Sequence, residues 1–483
     1  MTLGPDNLAP EVLLPVPADP TVSFSVSFRV GSQDDPPGKE GLAHVTGQLI
    51  EDGATTRNRY ETILEKLYPL AAAYHVRVDK EMTTLTGRAH KDNLEEYVPL
   101  FTDAYLRPAF SAEDFKRLKS DTLNYLRNTL RYSSDEELGK AALYQSVFAG
   151  TRYAHPVEGT VEGLESITLD DVREFYDAHY HRAAARIGLG GGYDDALVQR
   201  LDAALSQLPS RPAHAEPPRI QVPQIPGRHA VLIDKPGADA SISLGFALDL
   251  HRGERDFYAL WVANSWLGEH RNQASHLFDV IREIRGLNYG DYSYIEAFPE
   301  GGQRSMPPVN VPRRRQIFEI WIRSLPNDRA VFALRAALRE LQTLVDNGLT
   351  EEQFELTRGF LKKYVLHFAE TTSARLGYAV DDAFYGIEAP GHLQRFRRIM
   401  DELTVTEVNA AIRRHLQYDD FKVAIVTGAA TDLAASLASD APSPITYDTP
   451  KPPEVLAEDR QIGSFPLRIA AEHITVVPVS SMF

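Results

Sequence analysis

The chain has 483 residues, 43% of them apolar and 24% charged, which is the make-up of globular protein rather than of a fibre or a disordered tail. Its net charge of −16 argues against nucleic acid as the main partner, because such binders present a basic face. Cysteine is absent, so disulfides, thiol nucleophiles and cysteine-ligated zinc are excluded, and no run of 18 apolar residues offers a membrane span. Residues 1–5 lack a basic region followed by an apolar run, which leaves a cytoplasmic or a periplasmic location as the expectation.

In chain order, Val12, Leu13 and Leu14 read as a first strand. Val22, Phe24, Val26 and Phe28 alternate with Ser23, Ser25 and Ser27, which predicts a half-buried strand with a polar face. After a loop comes a helix entered through Gly41, in which Leu42, Val45 and Leu49 face a core. A second helix covers 60–70, a hairpin 76–87, and a third helix Leu94–Leu106. Ser111 is the N-cap of a long helix with Glu113 and Asp114 in its first turn. Helices near 136–149 and 168–179 follow, then a strand from Ala185 into Gly190, Gly191 and Gly192. A dinucleotide loop needs glycine where Tyr193 stands, so these glycines read as a plain turn. Six prolines between 209 and 226 make a stiff connector.

Beyond the connector the chain repeats itself. Leu349–Phe354 echoes Phe110–Phe115, Leu403–Val408 echoes Ile167–Val172, and Val423–Gly428 echoes the strand that ends at Gly190. Echoes in the same order at nearly one offset argue for a duplicated lobe. The fold class expected is α+β, with two homologous lobes of antiparallel sheets covered by helices and joined by the Pro-rich linker. The boundaries are 1–208, 209–227, 228–440, and a tail 441–483 that packs on the lobes and ends in an edge strand. Arg313, Arg314 and Arg315, which lead into a strand, are expected as solvated or ion-paired surface residues.

His44, Gln48 and Glu51 share a second face of the helix after Gly41. An inverted zinc-peptidase helix spells His-x-x-Glu-His: two histidines bind the metal from successive turns and the glutamate activates its water. This chain spells His44-Val45-Thr46-Gly47-Gln48. With Gly31-Ser32, the residues around that helix, Ile167–Val172, Leu277–Tyr289 and Pro444-Ile445-Thr446-Tyr447, the sequence resembles the pitrilysin/insulinase family, which includes the mitochondrial processing peptidases.

The resemblance implies a half clamshell, two such halves enclosing a chamber for peptides or unfolded protein. It assigns the first zinc ligand to His44, the general base to Gly47, the second ligand to Gln48, and the third to Asn124 or Tyr125. Neither of the last two is acidic, so no zinc is expected in this chain and zinc is expected in a partner. It also assigns Arg282 and Tyr289, seven apart in Arg-Glu-Ile-Arg-Gly-Leu-Asn-Tyr, to substrate binding opposite the metal. Gly286 would end the helix in a left-handed turn between them. The function this implies is the zinc-less subunit of a two-chain peptidase, with a zinc-bearing homologous subunit as partner. The alternatives are a structural core-type subunit and a peptide-binding homodimer. His179 with His181, and Glu269, His270 and His276 on one helix, lack the further ligands that a metal site requires.

Overall fold

The computed structural model describes residues 11–211, 219–222, 224 and 226–483. The readings made for residues 1–5 and for Pro212, Pro217, Pro218 and Pro223 of the connector lie outside them.

The first lobe is built on β1 (Glu11–Pro15), β2 (Thr21–Phe28), β3 (Ala73–Val78), β4 (Thr83–His90) and β5 (Ala185–Gly191), in the order β1-β5-β2-β4-β3. The second is built on β6 (Arg228–Asp234), β7 (Ala240–Leu248), β8 (Asp291–Tyr294), β9 (Gln316–Leu325), β10 (Phe421–Thr427) and β11 (Ile474–Pro478), in the order β11-β6-β10-β7-β9-β8. With β11 set aside, adding five to each strand number converts one order into the other. The duplication read from short echoes is thus a duplication of topology.

The helices repeat with their caps. Ser111 Oγ accepts from the Asp114 amide at one helix start, and Thr350 Oγ1 from the Gln353 amide at its counterpart. Thr168 with Asp171 and Thr404 with Glu407 form matching capping boxes, each satisfying donors that a helix start leaves unpaired.

The sheets are antiparallel at their centres, but β1 runs parallel to β5, β6 parallel to β10, and β11 parallel to β6. Strands brought together by most of a lobe rather than by a tight turn are free to run parallel.

The lobes exchange helices. Helix Asp135–Val147 leaves the first lobe and packs on β7 and β10 of the second, while helix Thr372–Tyr385 returns and packs on β1, β2 and β5 of the first. This corrects the reading of β2 as half-buried. Ser23, Ser25 and Ser27 are 2%, 3% and 7% exposed, because the returning helix covers that face. Ser23 Oγ lies 2.7 Å from Ser373 Oγ, and Thr372 Oγ1 donates to Asp19 Oδ2 at 2.7 Å. The glycines of β5 serve the same approach. A Cβ on Gly188 would sit 3.2 Å from Leu376 Cδ1 and 3.3 Å from Val380 Cγ2, and one on Gly190 3.0 Å from Thr372 Cγ2.

The two lobes are therefore tied together within the chain. The tail adds a further tie. Ile462, Leu467 and Ile469 join the second core, β11 is an edge strand as expected, and Met482 and Phe483 pack in the first core. There their carbonyls accept from Arg131 at 2.6 and 2.8 Å. Among the described residues no helix is long and apolar enough to cross a membrane.

Candidate functional site

The helix Leu42–Asp52 starts at Gly41, whose φ of +109° only glycine adopts freely, and Asp35 anchors it by accepting from the Gly41 and Ala43 amides at 2.7 Å each. Burial pushes the Asp35 carboxyl up to about 7. One face of the helix packs through Leu42, Val45 and Leu49. The other turns His44 and Gln48 toward a cavity of about 330 Å³ between the lobes. Glu51 does not reach it as a free group. Its two oxygens bind His75 Nδ1 and the Val76 amide, each at 3.0 Å, on the edge strand β3.

Tyr125, not Asn124, joins His44 and Gln48 at the cavity wall. Asn124 faces a separate outer groove, where its side-chain oxygen accepts from Asn128 at 2.6 Å. The opposite wall comes from the second lobe through Phe298, Pro299 and Glu300, and Arg77 reaches Glu300 across the gap at 3.5 Å.

These residues do not fit zinc. His44 is the one strong donor, kept neutral because burial lowers its pKa. Gln48 offers an amide. The Tyr125 hydroxyl is held in its protonated form by burial and by the fields of Glu158 and Glu137, whereas a metal needs the phenolate. Among the described residues no three His, Asp or Glu side chains are grouped to hold a metal ion. Gly47, where the resemblance expects a base, has no room for one: a Cβ there would lie 2.5 Å from Val78 Cγ2 and 3.2 Å from Val76 Cγ1.

The second lobe keeps its turn. Gly286 has φ +67°, its amide donates to the Arg282 carbonyl at 2.6 Å, and the Leu287 amide reaches back to Ile281 at 3.3 Å, which closes the helix as the glycine predicts. Arg282 lies in the last turn, with its guanidinium 4.6 Å from the Phe278 ring centroid and Nη1 2.8 Å from Glu283 Oε1. Tyr289 precedes β8 and is 77% exposed. It borders a shallow groove with Tyr132, Asp135, Lys235 and Arg323. Neither Arg282 nor Tyr289 lines the cavity that holds His44.

The arginine run is ion-paired but not superficial, which corrects that expectation. Arg313 is 4% exposed, and its Nε and Nη2 bind both oxygens of the equally buried Asp79 at 2.7 and 2.6 Å, under the Tyr144 ring. Arg315 is 8% exposed and binds the Ile220 carbonyl and Asp249. Asp79, and Glu81, which pairs with Arg314, sit in the β3–β4 turn Asp79-Lys80-Glu81, three charged residues that the second lobe buries. Burial pulls the Lys80 amine down to about 7, with Arg313 adding to the shift. On the far side of the cavity, Lys140 lies 4.6 Å from the ring centroids of Tyr294 and Trp321 and 3.9 Å from Glu319.

His270 and His276 are occupied structurally. The helix thought to carry Glu269 and His270 ends at Gly268; His270 bonds the Tyr294 hydroxyl and the Arg304 carbonyl at 2.8 Å each, and His276 bonds Glu340 at 2.6 Å.

Comparison with known proteins agrees with this geometry. Residues 12–161 match the family model of insulinase, peptidase family M16, and residues 166–360 match the model described as peptidase M16 inactive domain. The chain belongs to the insulinase family of peptidases. An uncharacterized zinc protease of Mycobacterium leprae is 24% identical over 82% of this chain and 84% of its own length. A non-peptidase homolog of Helicobacter pylori is 22% identical over 84% of this chain and 89% of its own. The fold is similar to the crystal structure of a peptidase M16 inactive domain from Pseudomonas fluorescens, with TM-score 0.74 and 22% identity, covering 86% of this chain and 96% of that one.

Proposed function

We propose that this chain is the zinc-less half of a two-chain peptidase, supplying half the chamber wall and the pair Arg282 and Tyr289 to a homologous subunit that carries the zinc. The observation that carries the reading is the filled space at Gly47. A glutamate cannot be placed there without moving Val78, so loss of hydrolytic chemistry is built into the packing and is not one missing side chain. The intact turn at Gly286 supports it from the other side, because it keeps an arginine and an exposed phenol at family spacing. Groups that serve a second chain have to face outward in the isolated one.

The test is zinc content and peptide turnover of the purified chain, alone and mixed with a homologous chain that carries His-x-x-Glu-His. The expected result is no stoichiometric zinc and no turnover alone, and turnover in the mixture above that of the zinc-bearing chain by itself. Stoichiometric zinc with turnover in the isolated chain overturns the proposal. The Helicobacter pylori relative is called a non-peptidase homolog, which favours as second reading a peptide-binding homodimer without proteolysis. A stable homodimer that binds peptide and gains nothing from any zinc-bearing homologue would select it.

A further inference from the structure

The returning helix Thr372–Tyr385 covers β1, β5 and β2 but stops short of β4 and β3. Beside it lies a groove of about 520 Å³ on the same face of the first sheet. Its floor is set by strand register. Ser23 pairs with Arg88 and Arg88 with Ala73; Ser25 pairs with Thr86 and Thr86 with His75. Directly paired residues project to one face, so two cross-strand rows set Ser23 and Ser25 beside Arg88 and Thr86, with Ala73 and His75, the latter already bonded to Glu51, at the edge. Ser373, in the first turn of the returning helix, closes one side, where a helix start contributes partial positive charge.

Three features of this groove point to an anion. Among the described residues that line it none bears a carboxylate, in a chain of net charge −16. Buried polar capacity is left over: the Ser25 hydroxyl, on a residue 3% exposed, and the side-chain oxygen of Asn310, 8% exposed, have no hydrogen-bond partner among the described residues. A half-turn of the Asn310 amide would present its nitrogen instead. Arg88 supplies a fixed charge. Its Nε is held by Thr21 Oγ1 at 3.0 Å, which orients the guanidinium and leaves its terminal nitrogens available. Asp19, whose charge reaches Arg88, is already bound by the Thr21 and Thr372 hydroxyls.

We propose that this groove binds a peptide carboxylate, with Arg88 as its ion-pair partner and Ser25, Thr86 and Asn310 as neutral donors. The inference rests on the peptide-handling reading above for its choice of ligand, but not on zinc, a second chain, or Arg282 and Tyr289.

Calorimetric titration of the full chain with three versions of one N-acetylated Gly/Ser/Ala hexapeptide tests it: a free carboxyl terminus, an amidated terminus, and an amidated terminus with one central aspartate. The free-carboxyl peptide is expected to bind about tenfold more tightly than its amide, in line with a hydrogen bond to a charged group. Arg88→Gln, a change at an exposed side chain, should bring that ratio close to one. If the aspartate peptide binds like the free carboxylate, the groove takes any peptide carboxylate; if it binds like the plain amide, the groove reads the chain terminus. Equal binding of all three, binding of none, or discrimination that survives Arg88→Gln overturns the proposal. A chain that gains no turnover from any zinc-bearing homologue yet keeps the carboxylate preference would lose the two-chain reading and retain the groove.

Discussion

The His44 region and the Arg282–Tyr289 region occupy one fold built twice, yet they are kept in opposite ways. At the first, the space beside Gly47 is filled by Val76 and Val78, and the second lobe is bolted down beside it through Asp79 and Arg313. At the second, Tyr289 stands in solvent and Arg282 is held by its neighbours Phe278 and Glu283. The difference teaches how buried and exposed positions are constrained by packing. A buried cavity without a task is destabilising and tends to fill, whereas an exposed side chain contributes little to folding and has no packing reason to persist. A spared exposed group is for that reason the more informative of the two.

The contrast predicts large folding effects near the first region. Arg313→Ala leaves Asp79 as a buried, unpaired carboxylate and should cost about 3–5 kcal/mol in urea unfolding. A loss below about 1 kcal/mol would mean that the lobes are not locked there. Gly188→Val tests the same locking from the sheet side. The added methyls meet Leu376 and Val380, and overpacking of this kind costs ~1–3 kcal/mol. Destabilisation is expected with the fold retained by circular dichroism, and a neutral result would show that the returning helix gives way freely.

Much of this arrangement was legible in the sequence where the cause is local. Ser111, Thr168 and Thr404 announce helix starts because each side chain caps its own backbone. Gly286 announces a left-handed turn for the same kind of reason. What failed depends on residues far along the chain. Ser23, Ser25 and Ser27 have the pattern of a wet face, and only a helix about 350 residues later makes them dry. Arg313 looked superficial because its partner, Asp79, sits in a turn that sequence alone puts in water. The choice between Asn124 and Tyr125 needs the phase of the helix to within one residue, which a motif with no acidic group left cannot supply.

Gly47 gives a sharper and smaller test. Alanine gains ~1 kcal/mol over glycine in a helix, but here its Cβ meets a β-branched side chain with little freedom to move. Gly47→Ala alone should lose about 1 kcal/mol net, from an overpacking cost of ~1–3 kcal/mol. In a Val78→Ala background the same change should become stabilising, because the colliding methyl is gone. If Gly47→Ala stabilises the otherwise unchanged chain, the valines do not fill the space beside Gly47.

The smallest effect on folding is expected where the largest effect on function is proposed. Tyr289→Phe removes one exposed hydroxyl with no hydrogen bond among the described residues, so unfolding should shift by less than about 0.5 kcal/mol. Arg282→Ala gives up a ring contact and an exposed ion pair and should cost no more than ~1 kcal/mol. In the proposed two-chain peptidase each change should lower kcat/KM by about 10²-fold, the scale of losing one donor aimed at developing charge. That separation is what a preserved functional pair requires. If both variants turn over peptide like the parent complex, Arg282 and Tyr289 are bystanders, and the contrast between the two regions reduces to one of burial.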